Sequence, residues 1–278
     1  MSKTTLEYFG VVEDKIYNDC VGSLPELTNK VIAITGCTSG TGFHAAVAAI
    51  RKNACLVIML NRKSERAISA MTKLQEVVKA NNKSTEIVTV TCDLQSFDSV
   101  RAAAAATSEL AAKFSGVDVL LNNAGVMGFP DDRTADGFDV QMQTNHLSHF
   151  LLTKLLMPSL EAASEARGEA ARVVQHSSGA RSKMRSITPD GVGNLLVEHF
   201  EKSEVGMLGG DAVPFCFNRY HQTKLSNSVF CMALHNRLVK AGKANTVIKS
   251  LVAEPGVAST DLAQNLTTVR NLKIVVVY

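Results

Sequence analysis

Six short runs of β-branched and aliphatic residues recur along the chain: "VIAIT" (31–35), "CLVIML" (55–60), "EIVTVT" (86–91), "VDVLL" (117–121), "RVVQH" (172–176) and "TVIKSLV" (246–252). They are largely continuous in apolar character rather than alternating, as expected of strands covered on both faces. Longer helix-like stretches separate them, such as 63–81 and the alanine-rich 96–115. A chain that repeats strand, helix, strand this often has few ways to bury its apolar surface. The simplest is an α/β fold: a doubly wound parallel sheet with helices on both faces and right-handed crossovers. With 278 residues and 46% hydrophobic content, one such domain can hold a full core. No repeat or linker divides it. Residues 29–278 are therefore expected to form a single domain, and 1–28 a polar lead-in with a short helix.

Composition removes several function classes. Net charge is +3 and charged residues make up 20% of the chain, without the concentrated basic face that nucleic-acid binding requires. The nearest candidate, "RSKMR" (181–185), reads as a solvated loop. The six cysteines Cys20, Cys37, Cys55, Cys92, Cys216 and Cys231 make no CxxC pair. They fit free thiols in a reducing compartment better than a disulfide or zinc framework. No run approaches the roughly 18 apolar residues of a membrane span, and the N-terminus lacks a signal-peptide core. A cytoplasmic location is expected. His146 and His149 lie three apart but lack a third ligand, so no metal is expected. The glycine-rich stretch 179–218 is long for a loop in a compact domain and is expected to shape a substrate mouth.

The first run leads into "TGCTSGTGF" (35–43). Gly36, Gly40 and Gly42, with Thr38, Ser39 and Thr41 between them, allow a sharp turn, close approach of a pyrophosphate and tight helix packing. The helix start then offers free N–H groups and partial positive charge. The GK[ST] of a Walker loop is missing, so the reading is a dinucleotide. The second run ends in Asn61 and Arg62. A dinucleotide fold reads the adenosine ribose there. With no carboxylate and a guanidinium at hand, the position suits the 2′-phosphate of NADP better than NAD.

Further along, "RYHQTK" (219–224) places Tyr220 and Lys224 at i and i+4, on one helix face. A phenol titrates near 10 unperturbed, and a nearby ammonium would bring its ionisation closer to neutrality.

In order, "TGCTSGTG", "CDL" (92–94), "NNAG" (122–125), "HSS" (176–178), "YHQTK" (220–224) and "EPGVAST" (254–260) resemble the motifs of the short-chain dehydrogenase/reductase family. The resemblance spans about residues 30–265. The stretch "NNAGVMGFPDDRTADGFDVQMQTNHLSHFLLTKLLMPSL" (122–160) resembles its retinol dehydrogenase-like branch, which includes the WW-domain oxidoreductases. The resemblance implies a Rossmann fold and an NAD(P)-dependent oxidoreductase acting on CH–OH or C=O groups of a small lipophilic substrate. It implies Tyr220 as general acid/base, Lys224 on the nicotinamide ribose, Ser178 on the substrate oxygen (Ser177 being its neighbour), and Asn145 in a water-linked proton path with Lys224. Asp93 and Leu94 would meet the adenine. Asn122, Ala124 and Gly125 would line the cofactor, and Pro255, Gly256, Val257 and Thr260 would flank the nicotinamide. Pairing of two copies through long helices is a further implication.

Three features depart from the family pattern. Ser178 and Tyr220 are separated by an unusually long segment. Ser148 stands where the branch has glycine. The chain ends at Tyr278, where the family continues through a substrate-covering helix and a last strand. An incomplete substrate cover is thus expected. It leaves a second reading open, a catalytically weak NADP(H)-binding sensor or interaction protein.

Overall fold

The computed structural model describes residues 15–183 and 195–256. A short helix α1 (Lys15–Ser23) precedes β1 (Val31–Thr35), α2 (Gly40–Arg51), β2 (Leu56–Asn61), α3 (Glu65–Ala80), β3 (Glu86–Thr91), α4 (Phe97–Ala112) and β4 (Val119–Asn122). Then come α5 (Val140–Met142), a π-helical segment (Gln143–Leu147), α6 (Ser148–Arg167), β5 (Ala171–His176), α7 (Val213–Lys240) and β6 (Ile248–Ala253). The six strands form one sheet in the order β3-β2-β1-β4-β5-β6, and every pairing is parallel. The order reverses between β1 and β4. Open α/β sheets bind ligands outside the carboxyl ends of the strands at such a point.

Each face of the sheet carries its own core. On one, Ile32, Ile34, Val57 and Met59 pack with Phe43, Val47 and Ile50 of α2 and Leu74 and Val77 of α3. On the other, Val31, Ala33, Ile58, Leu120 and Val173 pack with Val100 of α4, Leu152, Leu156 and Leu160 of α6, and Leu238 of α7. Side-chain caps start α3 and α4: Ser64 accepts the Ala67 N–H and Ser96 the Ser99 N–H. The fourth strand begins at Val119 rather than Val117 because Asp118 does other work. Its carboxylate accepts the Val31 N–H at 2.8 Å and faces Lys30 and Arg167, closing the amino edge of the sheet.

The 179–218 segment does not loop free. Among its described residues, Val197–Phe200 form a 3₁₀ turn. The Leu196 N–H donates to Gln222 Oε1 of α7 at 3.1 Å, and the Phe200 ring meets His146 edge-on. Ser148 also has a reason to be there: its hydroxyl donates to the Leu94 carbonyl at 2.6 Å, tying the loop after β3 to the start of α6.

Candidate active site

The carboxyl ends of β1 and β4 are joined by side chains rather than by ladder bonds alone. Thr35 Oγ1 accepts the N–H groups of Asn123 and Ala124 at 2.9 and 3.0 Å. The Asn145 carbonyl, 3.0 Å from His149 Nδ1, can only accept, so Nδ1 carries the proton. His149 Nε2 is then an acceptor 2.9 Å from Thr35 Oγ1, whose hydroxyl also lies 3.5 Å from the Leu121 carbonyl. Asn123 completes the brace. Its amide donates to the carbonyls of Thr35 and Gly36, and its oxygen accepts from Thr41 Oγ1 and faces His176 Nδ1.

This brace fixes the glycine loop. Gly36 and Gly40 hold φ of +72° and +57°, the left-handed region. Gly42 is required for space: a Cβ there would sit well inside contact distance of the Gly36 carbonyl and the Asn123 amide. The Cys37 N–H donates to Asn61 Oδ1 at 2.8 Å, so the end of β2 holds the loop from the other side. The Asn61 amide nitrogen is buried without a protein partner. Arg62 is exposed just beyond it, and Arg66 reaches back to Ser39 Oγ at 3.0 Å. The Ser39 side chain makes no cap bond at the start of α2, leaving that helix's first N–H groups facing the loop.

The second half of the site comes from β5 and α7. The Ser178 hydroxyl is hydrogen-bonded to the Tyr220 phenol. Lys224 Nζ lies 5.6 Å from the centre of the Tyr220 ring and donates to the His176 carbonyl at 3.1 Å. Both side chains belong to buried residues, each 4% exposed. Asn145, in the π-helical segment, accepts the Val126 N–H at 2.7 Å and donates to the Val126 carbonyl and to Thr223 Oγ1. Irregular helical turns of this type often mark functional sites; this one aims Asn145 at the stretch after β4 and at α7 together. Gly125 lies between: a Cβ there would be 3.2 Å from Asn145 Oδ1 and 3.5 Å from Lys224 Nζ.

Burial dominates the electrostatics. It brings Lys224 down to about 8. It pushes the Tyr220 phenol above its ordinary value, opposed by the Ser178 hydrogen bond. Within the protein's own groups, therefore, the phenol is not lowered as the Tyr–Lys spacing suggested. His146 and His149 are brought down to about 4 by burial. Both are neutral in the fold but charge near 6.5 when unfolded. Their depressed values contribute stability that is present above pH 6.5 and lost as pH falls toward 4, by roughly 3 kcal/mol for each at most. Thermal unfolding between pH 7 and 4 is expected to show a steep loss of Tm below pH 6.5, and His149→Gln a shallower one. An unchanged slope in that variant would remove His149 from the account.

Of the expected site residues, Gly36, Thr38, Ser39, Gly40, Thr41 and Gly42 lie in the loop with Arg62 just beyond β2, and Asn145, Ser178, Tyr220 and Lys224 lie together on the other side. Ala124 and Gly125 lie at the seam. Asn122 does not turn to the cleft; its amide donates to Thr153 Oγ1 of α6, so only its backbone could meet a ligand. Ser177 is structural, donating to the Lys224 carbonyl and meeting Ser228. Asp93 folds back to accept the Gln95 N–H, and Leu94 is buried. Pro255 and Gly256 follow β6, whereas Val257 and Thr260 lie outside the described residues. Sequence reading missed Thr35 and Asn123 and weighed His149 only as a metal ligand. They were signalled only weakly, as polar residues bordering apolar runs. No group of three potential metal ligands occurs among the described residues.

The profile of short chain dehydrogenases matches residues 30–188. An uncharacterized oxidoreductase of Schizosaccharomyces pombe is 34% identical over 266 residues, covering 94% of this chain and 69% of the relative. Retinol dehydrogenase 14 of Mus musculus is 33% identical, covering 85% and 64%, and retinol dehydrogenase 12 of Bos taurus 30%, covering 86% and 65%. Among solved structures, a Mycobacterium paratuberculosis protein superposes with a TM-score of 0.63 at 31% identity, covering 88% of this chain and 75% of that one. The Pseudomonas aeruginosa RhlG/NADP active-site complex superposes with a TM-score of 0.61 at 21% identity, covering 87% and 78%. With the sheet order, the glycine loop and the Ser178–Tyr220–Lys224 cluster, these likenesses identify the chain as a dehydrogenase/reductase of the short-chain dehydrogenase/reductase family.

Proposed function

We propose that the chain is an NADP(H)-dependent oxidoreductase that interconverts a carbonyl and an alcohol on a small lipophilic substrate, with Tyr220 as general acid/base. The observation that carries this reading is the convergence of half-buried Ser178 with the buried Tyr220 and Lys224 beside the glycine loop. The bound nicotinamide would supply or accept the hydride. The chain's own groups do the rest. Ser178 orients the substrate oxygen. Tyr220 Oη gives it a proton in reduction and takes one in oxidation. Lys224, held by the His176 carbonyl, is placed to hold the nicotinamide ribose, and the Ser178 side chain opposes the burial that raises the phenol.

The residues present fit a dinucleotide. Gly42 leaves no room for a side chain, the start of α2 faces the loop, and the Asn61 amide is left without a protein partner. At the end of β2 stand Asn61 and Arg62 rather than a carboxylate; Glu65 and Arg66 follow in the first turn of α3. The Pseudomonas structure named for its NADP complex agrees with this choice, although a structural neighbour of similar likeness is an NADH-dependent reductase complexed with NAD. The retinol dehydrogenase relatives, and a polyprenol dehydrogenase of Danio rerio at 31% identity, favour a lipophilic substrate. No helix among the described residues is long and apolar enough to cross a membrane. A cytoplasmic location and pairing of two copies through α6 and α7, which expose Phe150, Val229 and Met232, belong to the same proposal.

Equilibrium titration tests the cofactor assignment. NADPH is expected to bind about 10–100-fold more tightly than NADH, the worth of one or two charge-assisted hydrogen bonds to a phosphate. Arg62→Ala is expected to erase most of that preference while leaving NADH affinity within about threefold. Equal affinities in the unsubstituted protein would sink the NADP assignment.

A further inference from the structure

We propose that Arg219 is a positioning residue that fixes the second half of the 179–218 segment as the substrate-side wall of the site, and so sets specificity for lipophilic substrates. The inference rests on the oxidoreductase reading above.

Arg219 directly precedes Tyr220 on α7, about 100° around the helix, so the two side chains leave the same turn in different directions. Its side chain is 0% exposed. The guanidinium donates to three backbone carbonyls: Phe129 at 3.0 Å, Leu208 at 3.1 Å and Gly210 at 2.9 Å. It also faces two buried carboxylates, Asp131 at 3.6 Å and Asp139 at 3.3 Å. Asp131 grips the same loop through its donors, accepting the Leu208 and Gly210 N–H groups at 2.8 and 2.9 Å. Leu208 and Gly210 are thus held by both their carbonyls and their amides. Arg133, paired with Asp131 at 2.7 Å, extends the grip to the carbonyls of Ser203 and Glu204.

This arrangement is poorly suited to mere space-filling. A buried ion cluster recovers little more than its desolvation cost, and well-packed apolar side chains would stabilise the spot as well or better. What the cluster supplies is a single geometry. It joins the segment after β4, the 203–211 loop and the helix turn bearing the phenol. The Leu196 N–H, bonded to Gln222, ties an earlier part of the insertion to that same stretch of α7. The loop so fixed presents Val205 and Met207, 66% and 70% exposed. Phe215 packs so closely on it that a Cβ at Gly209 would lie 2.5 Å from its ring. An apolar wall of this kind recognises a hydrocarbon chain or ring rather than a charged group.

The test compares dodecanal with propanal as NADPH-dependent substrates, using the full chain. In Arg219→Lys, which keeps charge but loses the planar fork, KM for dodecanal is expected to rise about tenfold or more. The value of kcat, propanal kcat/KM and NADPH affinity should stay within about threefold. Limited proteolysis should open new cuts within 203–211. Gly210→Ala strains the clamp from the loop side, where φ is +72° with nothing within 4 Å of an added Cβ. It should reproduce the KM shift even if the arginine variant fails to fold. An unmoved dodecanal KM in a folded variant, or parallel losses for both aldehydes, would overturn the assignment. Lack of turnover of either aldehyde by the unsubstituted protein would instead sink the oxidoreductase reading on which it rests.

Discussion

Tyr220→Phe is expected to lower NADPH-dependent carbonyl turnover by about 10²–10⁴-fold, the range for losing a positioned proton donor, while NADPH affinity stays within about twofold. The substitution removes one oxygen from a buried ring and leaves the packing intact. Lys224 keeps its bond to the His176 carbonyl and Ser178 loses its phenol partner. Stability should therefore change by no more than about 1 kcal/mol. Single-turnover rates with equilibrium binding separate the two effects. A variant retaining more than a tenth of the parent rate would remove Tyr220 from the proton-transfer step.

Gly42→Ala should act on binding rather than chemistry. The new methyl must displace either the Gly36 carbonyl or the Asn123 amide, and both belong to the brace that shapes the glycine loop. Overpacking of this kind costs typically 1–3 kcal/mol. If the loop bears the strain, NADPH affinity is expected to fall about 5–150-fold, with kcat at saturating NADPH much less affected. Calorimetric titration of variant and parent measures this directly. Unchanged affinity in a folded variant would mean that the loop is not where the dinucleotide phosphates bind.

β1 was legible because a parallel strand buried on both faces must be apolar along its length; the edge strand β3, with only Val90 buried, also runs over the stretch expected, on the strength of its β-branched residues. At β4, where expectation and structure differ, a polar residue bears a tertiary load. Asp118 reads as part of a strand, yet serves Val31, Lys30 and Arg167. The Tyr220–Lys224 pair was legible because its i,i+4 geometry is local. Which of two adjacent asparagines faces the glycine loop was not: one step along a strand reverses the face, so Asn122 turns to Thr153 and Asn123 to the loop. Arg219 was legible only as a charge beside the tyrosine. Its burial depends on Asp131 and Asp139 arriving from far along the chain, and a periodicity argument contains no such term. The raised phenol likewise reflects burial, which spacing does not report.

The strand order has a kinetic consequence. On one side β1 pairs with β2, and Cys55 Sγ reaches the Lys30 carbonyl only 25 positions away. On the other it pairs with β4, where Val31 meets Asp118 across 87 positions. Contacts at such different separations form on different timescales, since each long loop must be closed before its contacts repay the entropy. The β1–β2–β3 half can therefore assemble first, during synthesis, with the side of β1 that will receive β4 still open. Until β4 arrives, β1 exposes an unpaired apolar edge, a template for the wrong partner. The seam where Thr35 meets Asn123 thus closes only after the β1–β2–β3 half, and the wait for β4 is an interval open to aggregation.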